Sequence, residues 1–205
     1  MKNRALHNLK RIKLNFDLFI NSSRFVRFPG SITAFLGYHG VIAGCKTLPT
    51  HTKNISIFLR NNCCDYQVFA KIFIWRGYHD LLDGTEEIII DAGSNIGASS
   101  VFFCKTCPDA FVFSIEPSRE NIESLKHNVA INDCADRLKI IPQPLAPRSE
   151  RFLIEDAGSR TDSFKFCKSS AGDLISVTMD ELLGKLPKGK SIDLLKIDIE
   201  GGEYP

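Results

Sequence analysis

From Thr85 onward, short apolar runs alternate with helical stretches, and this alternation constrains the chain more than any other feature. "EEIIID" is a compact apolar run of the kind a buried strand needs. "IGASSVFFCKT" follows with helical spacing, and Pro108 stops it. "AFVFSIEP" reads as a second strand, cut by Pro117. "SRENIESLKHNVAIN" is the clearest helix: Ser118 can cap it, Glu120 sits in its positive first turn, and Ile122, Leu125 and Val129 form an inner stripe. "RLKIIPQP" is a third strand, and "ERFLIED" and "SFKFC" read as an excursion of short strands. "ISVTMDELLGKL" crosses into a helix, and "SIDLLKIDIE" is a further buried strand. Strands alternating with helices predict an α/β domain: a doubly wound, mostly parallel sheet covered on both faces.

The residues before this block are organised differently. Residues 1–30 are basic, with Lys2, Arg4, Lys10, Arg11, Lys13, Arg24 and Arg27 against the single acid Asp17. Ala5, Leu9, Ile12, Phe16, Phe19 and Ile20 fall on one helical face. A helix packed on the main domain is expected, with membrane-surface contact as the alternative. Gly37, Gly40 and Gly44 break any long helix in the following stretch. Val68, Phe69, Ile72 and Phe73 then predict an amphipathic helix from about Asp65 to Arg76. The expected division is a helical extension over 1–84 and an α/β domain over 85–205.

Composition narrows the class. The 205 residues are 43% hydrophobic and 24% charged, with a formal net charge of +2, a balance that gives no argument for a nucleic-acid partner. No apolar run approaches the roughly 18 residues that span a bilayer. No secretory signal is visible, so the seven cysteines are expected to be reduced thiols in a cytoplasmic protein. Cys104 and Cys107 have CxxC spacing, but they fall at the end of a predicted helix rather than opening one, and are expected to be incidental.

In a doubly wound sheet, ligands bind at the carboxyl ends of the strands. The first strand ends in Asp91, followed by Gly93-Ser94-Asn95-Ile96-Gly97. The second ends in Glu116, and the last in Asp198, Glu200 and Glu203. Two glycines permit a sharp turn into a helix N-terminus, where free N–H groups gather. A dinucleotide fingerprint wants a third glycine where Asn95 stands, and Asp91 disfavours a pyrophosphate. Asp91 suits a cationic ligand, and Glu116 suits the hydroxyls of a ribose. A cationic group joined to a ribose describes S-adenosylmethionine. In "LLKIDIEGGE", Lys196, Asp198 and Glu200 share one strand face, opposite Leu195, Ile197 and Ile199.

These pieces, "IIIDAGSNIGASS", "FSIEPSRENIESLKHNVAIN", "VTMDELL" and "LLKIDIEGGEY", resemble the FkbM family of S-adenosylmethionine-dependent methyltransferases. The resemblance implies a Rossmann-like class I sheet with S-adenosylmethionine as cofactor. Asp91, Gly93, Asn95 and Gly97 match the donor loop, with Ser94 between them, and Glu116 matches the ribose acid. Asp198 and Glu200 match the motif beside the transferred methyl, and with Lys196 they form the candidate catalytic set. The implied reaction is O-methylation of a hydroxyl on a sugar or secondary metabolite. The acids accept the hydroxyl proton or, alternatively, hold a divalent ion. His79 and His127 are less suited as bases, being expected outside the cleft.

The seven-stranded class fold continues past the strand that ends in Asp198, whereas this sequence closes at Pro205. A truncated domain is therefore expected, with missing C-terminal strands, an apolar edge, poor solubility and little activity. The competing readings are an inactive Rossmann-like fragment that at most binds the donor or a partner, and a nicotinamide-dependent dehydrogenase.

Overall fold

The computed structural model describes residues 46–50, 52, 54–60, 63–156, 164–186 and 188–199. The chain divides into two units, Met1–His79 and Asp80–Pro205. The basic stretch over 1–30 lies outside the described residues.

In the first unit, β1 (Lys46–Pro49) and β2 (Ser56–Leu59) form an antiparallel hairpin. Ile55, Ile57 and Leu59 are fully buried at a period of two, which is the pattern of a strand with one covered face. The sequence reading assigned no element here, so this part of the expected helical extension contains β structure. The helix expected over 65–76 is α-helical only as α1 (Cys63–Phe69). It then widens into a π-helical turn over Ala70–Ile74, closed by the Trp75 N–H donating to the Ala70 carbonyl at 2.9 Å. The wider turn brings Ile72, Phe73 and Ile74 into the interior together. Asp65 sits in the first turn of α1 and is fully buried. Its carboxylate accepts from the Arg60 backbone and guanidinium at 2.8 to 3.0 Å, so the charge is not left unpaired.

Among the described residues, the second unit is built on four parallel strands: β3 (Ile88–Ala92), β4 (Phe111–Ile115), β5 (Leu138–Ile141) and, after a long excursion, β9 (Leu194–Ile197). Their order across the sheet is β5-β4-β3-β9. All three pairings are parallel, so every carboxyl end lies on one side. Helices α2 (Ala98–Thr106) and α3 (Arg119–Ile131) supply the crossovers between the first three strands. Ser118 caps α3 as its sequence suggests, accepting from the Asn121 N–H.

The excursion is a separate three-stranded antiparallel sheet of β6 (Arg151–Asp156), β7 (Phe164–Lys168) and β8 (Leu174–Ile175), in the order β7-β6-β8. Helix α4 (Met179–Leu183) then leads back to β9. Ile88, Ile90 and Ala92 pack with Phe113, Ile115 and Ile141 against Val177 and Leu182, so one sheet face is covered by the α4 segment. The alternate residues of β3 point to the other face, where α2 lies.

A reciprocal capping box starts α4: the Glu181 N–H donates to Thr178 Oγ1 at 3.2 Å, and the Thr178 N–H donates to Glu181 Oε2 at 2.9 Å. Thr178→Ala is expected to lower stability by about 1 kcal/mol, a fall of about 3 °C in a thermal melt.

Among the described residues, β9 forms one edge of the sheet. Leu195 and Ile197 are exposed, while Lys196 points inward. The sequence reading took the strand as buried, with Lys196, Asp198 and Glu200 on one face and Leu195, Ile197 and Ile199 on the other. The register places Lys196 directly opposite Asp91.

Candidate functional site

Three neighbouring strands deliver the candidate residues to one edge. β3 carries Asp91 and the turn to Gly97, β4 leads to Glu116, and β9 carries Lys196 and leads to Asp198. Glu200 lies outside the described residues.

The turn after β3 holds three left-handed residues in five positions: Gly93 at φ 76°, Asn95 at φ 51° and Gly97 at φ 79°. Glycine adopts this region without strain, and asparagine tolerates it better than most residues. Asn95 therefore takes the place of a glycine by conformation as well as by position. The Gly93 and Ser94 N–H groups and the Ser94 hydroxyl all donate to the Ile115 carbonyl, at 3.0, 3.1 and 3.3 Å. The Gly97 N–H closes the turn on the Ser94 carbonyl at 2.8 Å. Asn128 of α3 donates its side-chain amide to the Ile96 carbonyl at 2.9 Å. A β-carbon on Gly97 would stand 2.8 Å from Leu125 Cγ, so this glycine lets α3 pack closely on the turn.

Asp91 is fully buried. Its Oδ2 accepts from the Ser99 and Ser100 hydroxyls, both at 2.6 Å, and Ser100 continues the chain to Ser114 at 2.8 Å. Its Oδ1 forms an ion pair with Lys196 Nζ at 2.8 Å, outside hydrogen-bond geometry. The expectation that Asp91 faces a cationic ligand is therefore corrected: the carboxylate is turned into the domain, where it ties β3 to α2 and β9. Lys196 is likewise turned toward protein groups. Its ammonium donates to the Gly93 carbonyl at 2.7 Å, behind the turn. The serines were the missed signal, since two hydroxyls in the first turn of the following helix can reach back to a strand-end acid.

Glu116 is almost wholly buried at the end of β4. Its Oε2 accepts from the Asn95 N–H at 2.8 Å. Its Oε1 accepts from the Ser118 N–H at 2.9 Å and the Asn121 amide at 3.2 Å. Burial pushes its pKa above the ordinary glutamate value, against the hydrogen bonds from Ser118, Asn121 and Asn95 and the charge of Lys196. The Asn95 and Asn121 side-chain carbonyl oxygens beside it are buried without a hydrogen-bond partner. The Glu116 carboxylate keeps acceptor capacity beyond the three hydrogen bonds it receives.

Asp198 is exposed, with its backbone N–H on the Ala92 carbonyl at 3.0 Å. Its own carbonyl lies beneath Gly93, where a β-carbon would come within 1.9 Å. The CxxC cysteines are both buried and free, as expected of incidental thiols, and Cys107 donates its thiol to Glu86 at 3.0 Å. His127 lies on the exposed side of α3, away from this edge. Among the described residues there is no cluster of His, Cys, Asp and Glu able to hold a metal ion, and no helix long and apolar enough to cross a membrane.

A parallel α/β sheet with a glycine turn and an acidic strand end at its carboxyl edge defines a Rossmann-like domain. The family model described as the methyltransferase FkbM domain matches residues 91–205, and the chain belongs to that family. Among curated proteins it is similar to methyltransferase sdnD of Sordaria araneosa, 26% identical over 168 residues, covering 66% of this chain and 65% of that protein. It is also similar to methyltransferase 1 of Beauveria bassiana, 22% identical over 157 residues, covering 66% of this chain and 63% of that one. The chain thus spans just under two thirds of the length of these relatives. Among solved structures, the methyltransferase FkbM from Methylobacillus flagellatus KT aligns at 18% identity and a TM-score of 0.38, over 69% of this chain and 37% of that one. The S-adenosylmethionine-dependent methyltransferase from Agrobacterium tumefaciens aligns at 13% identity and a TM-score of 0.37, over 50% and 33%.

Proposed function

We propose that this chain carries the donor-binding part of an S-adenosylmethionine-dependent methyltransferase acting on a hydroxyl of a sugar or secondary metabolite. The observation that carries the reading is the convergence of the Gly93–Gly97 turn, Glu116 and Asp198 on the carboxyl ends of three adjacent parallel strands. Glu116, at the end of the neighbouring strand and with acceptor capacity left beyond its three donors, supports a reading in which it binds the ribose hydroxyls of that donor. The bound donor would supply an electrophilic methyl on a sulfonium centre. The protein's part is alignment and proton removal. The turn and Glu116 hold the donor, and Asp198 accepts the hydroxyl proton of the acceptor, with Glu200 as the neighbouring candidate. The localisation we propose is cytoplasmic.

Calorimetric titration of the purified chain with S-adenosylmethionine and, separately, with NAD tests the reading. Binding of the first and not the second is expected. Binding of NAD alone would overturn it, and binding of neither would favour a fragment that serves only as an interaction module.

A further inference from the structure

We propose that Lys196 is a positioning residue for the donor turn, and that β9 shapes the donor site through it. The inference rests on the donor reading for its effect on affinity, but the geometry stands apart from that reading. The Gly93 residue is held from two sides, through the peptide groups before and after it. Its N–H donates to the Ile115 carbonyl of β4 at 3.0 Å, and its carbonyl accepts from Lys196 Nζ of β9 at 2.7 Å. The same ammonium stands 2.8 Å from Asp91 Oδ1, and the side chains of Lys196 and Asp91 are 10% and 0% exposed. Lys196 therefore does two things with one charge. It neutralises the buried carboxylate at the root of the turn, and it fixes the carbonyl of the turn's first left-handed residue.

β9 reinforces this hold. The Asp198 N–H binds the Ala92 carbonyl at 3.0 Å, and the Asp198 carbonyl fills the space a side chain on Gly93 would need. At the other end of the strand, Asp193 Oδ2 accepts from the Glu87 and Ile88 N–H groups, both at 2.9 Å. A lysine so placed acts on the protein side of the turn, at the Gly93 carbonyl and the Asp91 carboxylate. Its contribution to transfer runs through the shape of the turn.

The two roles of Lys196 can be separated, because a neutral pair repairs the buried charge but not the bond to Gly93. Lys196→Met leaves Asp91 uncompensated, and a fall of roughly 10 °C in the melting temperature is expected. Asp91→Asn combined with Lys196→Met removes both charges and should recover at least half of that fall. Its affinity for S-adenosylmethionine should nevertheless stay at least about tenfold weaker than wild type. Hydrogen exchange should be faster at the Gly93, Ser94 and Gly97 amides. A double variant with wild-type affinity and wild-type exchange at these amides would overturn the proposal. If the wild-type chain binds no S-adenosylmethionine, the donor reading fails. The exchange measurement then decides alone: faster exchange at those three amides supports the positioning role, and unchanged exchange overturns it.

Discussion

Gly93→Ala is expected to be the most damaging single-methyl change in the second unit. The added carbon would lie 1.9 Å from the Asp198 carbonyl oxygen and 2.7 Å from its carbon. Those atoms belong to backbone, and the Asp198 N–H is bonded to Ala92, so the neighbour cannot swing aside as a flexible side chain would. The residue is also held at φ 76°, a region that strains any L side chain. Strain and overpacking together set an expected loss of about 4 kcal/mol, or roughly 12 °C in melting temperature. Donor binding should fall below detection, because relief of the clash moves β9 away from the turn. Gly189→Ala is the control: Gly189 has φ 80° but nothing within 4 Å of an added β-carbon. It should show the strain alone, about 1–2 kcal/mol. Equal losses at the two glycines, measured by denaturant unfolding, would show that the contact with β9 contributes nothing.

The second large effect centres on Glu116. Glu116→Ala removes the acceptor for the Asn95 and Ser118 N–H groups and the Asn121 amide, and a loss of about 3 kcal/mol is expected from the buried donors left behind. Its pH dependence has a definite sign. Burial raises the folded pKa above the unfolded value, so the folded state keeps this proton to higher pH than the unfolded state does. The stability linked to Glu116 is fully present below the unfolded pKa. It declines as pH rises through the window between the unfolded and folded values, and then levels off. Glu116→Gln does not titrate. The wild-type chain should therefore lose stability relative to this variant as pH rises through that window, in paired unfolding curves across roughly pH 4 to pH 8. A constant difference between the two would refute the raised pKa. Donor affinity should move the opposite way, weakening by about tenfold as pH falls and Glu116 takes up its proton, because a neutral acid is a poorer acceptor for ribose hydroxyls.

Much of the second unit was legible because its signals are local. Three isoleucines ending in Asp91, and a capped helix with Ile122, Leu125 and Val129 on one stripe, specify their elements within a few residues. The strand–helix alternation then limits the topology to a parallel sheet, with strand ends on one side. The hairpin of β1 and β2 escaped notice although Ile55, Ile57 and Leu59 alternate correctly, since three positions make a weak pattern beside nearby glycines. The π turn at Ala70–Ile74 was not legible because so short a run of apolar residues does not distinguish α from π winding.

The candidate site divides along the same line. Residue types and their order determined that a glycine turn, Glu116 and the Lys196–Asp198 strand lie at one sheet edge. That follows from chain direction in a parallel sheet and needs no distances. Which groups face outward was decided only by tertiary structure. Alternation along β9 separates Lys196 from Leu195 and Ile197, but it carries no information about which face is inside. The tertiary structure supplies it through register: Lys196 sits opposite Asp91, across 105 residues of chain, and pairs with that buried carboxylate, which would otherwise be left without a countercharge. For the same reason Asp91, read in one dimension as a ligand contact, has its carboxylate turned in three dimensions toward Ser99, Ser100 and Lys196.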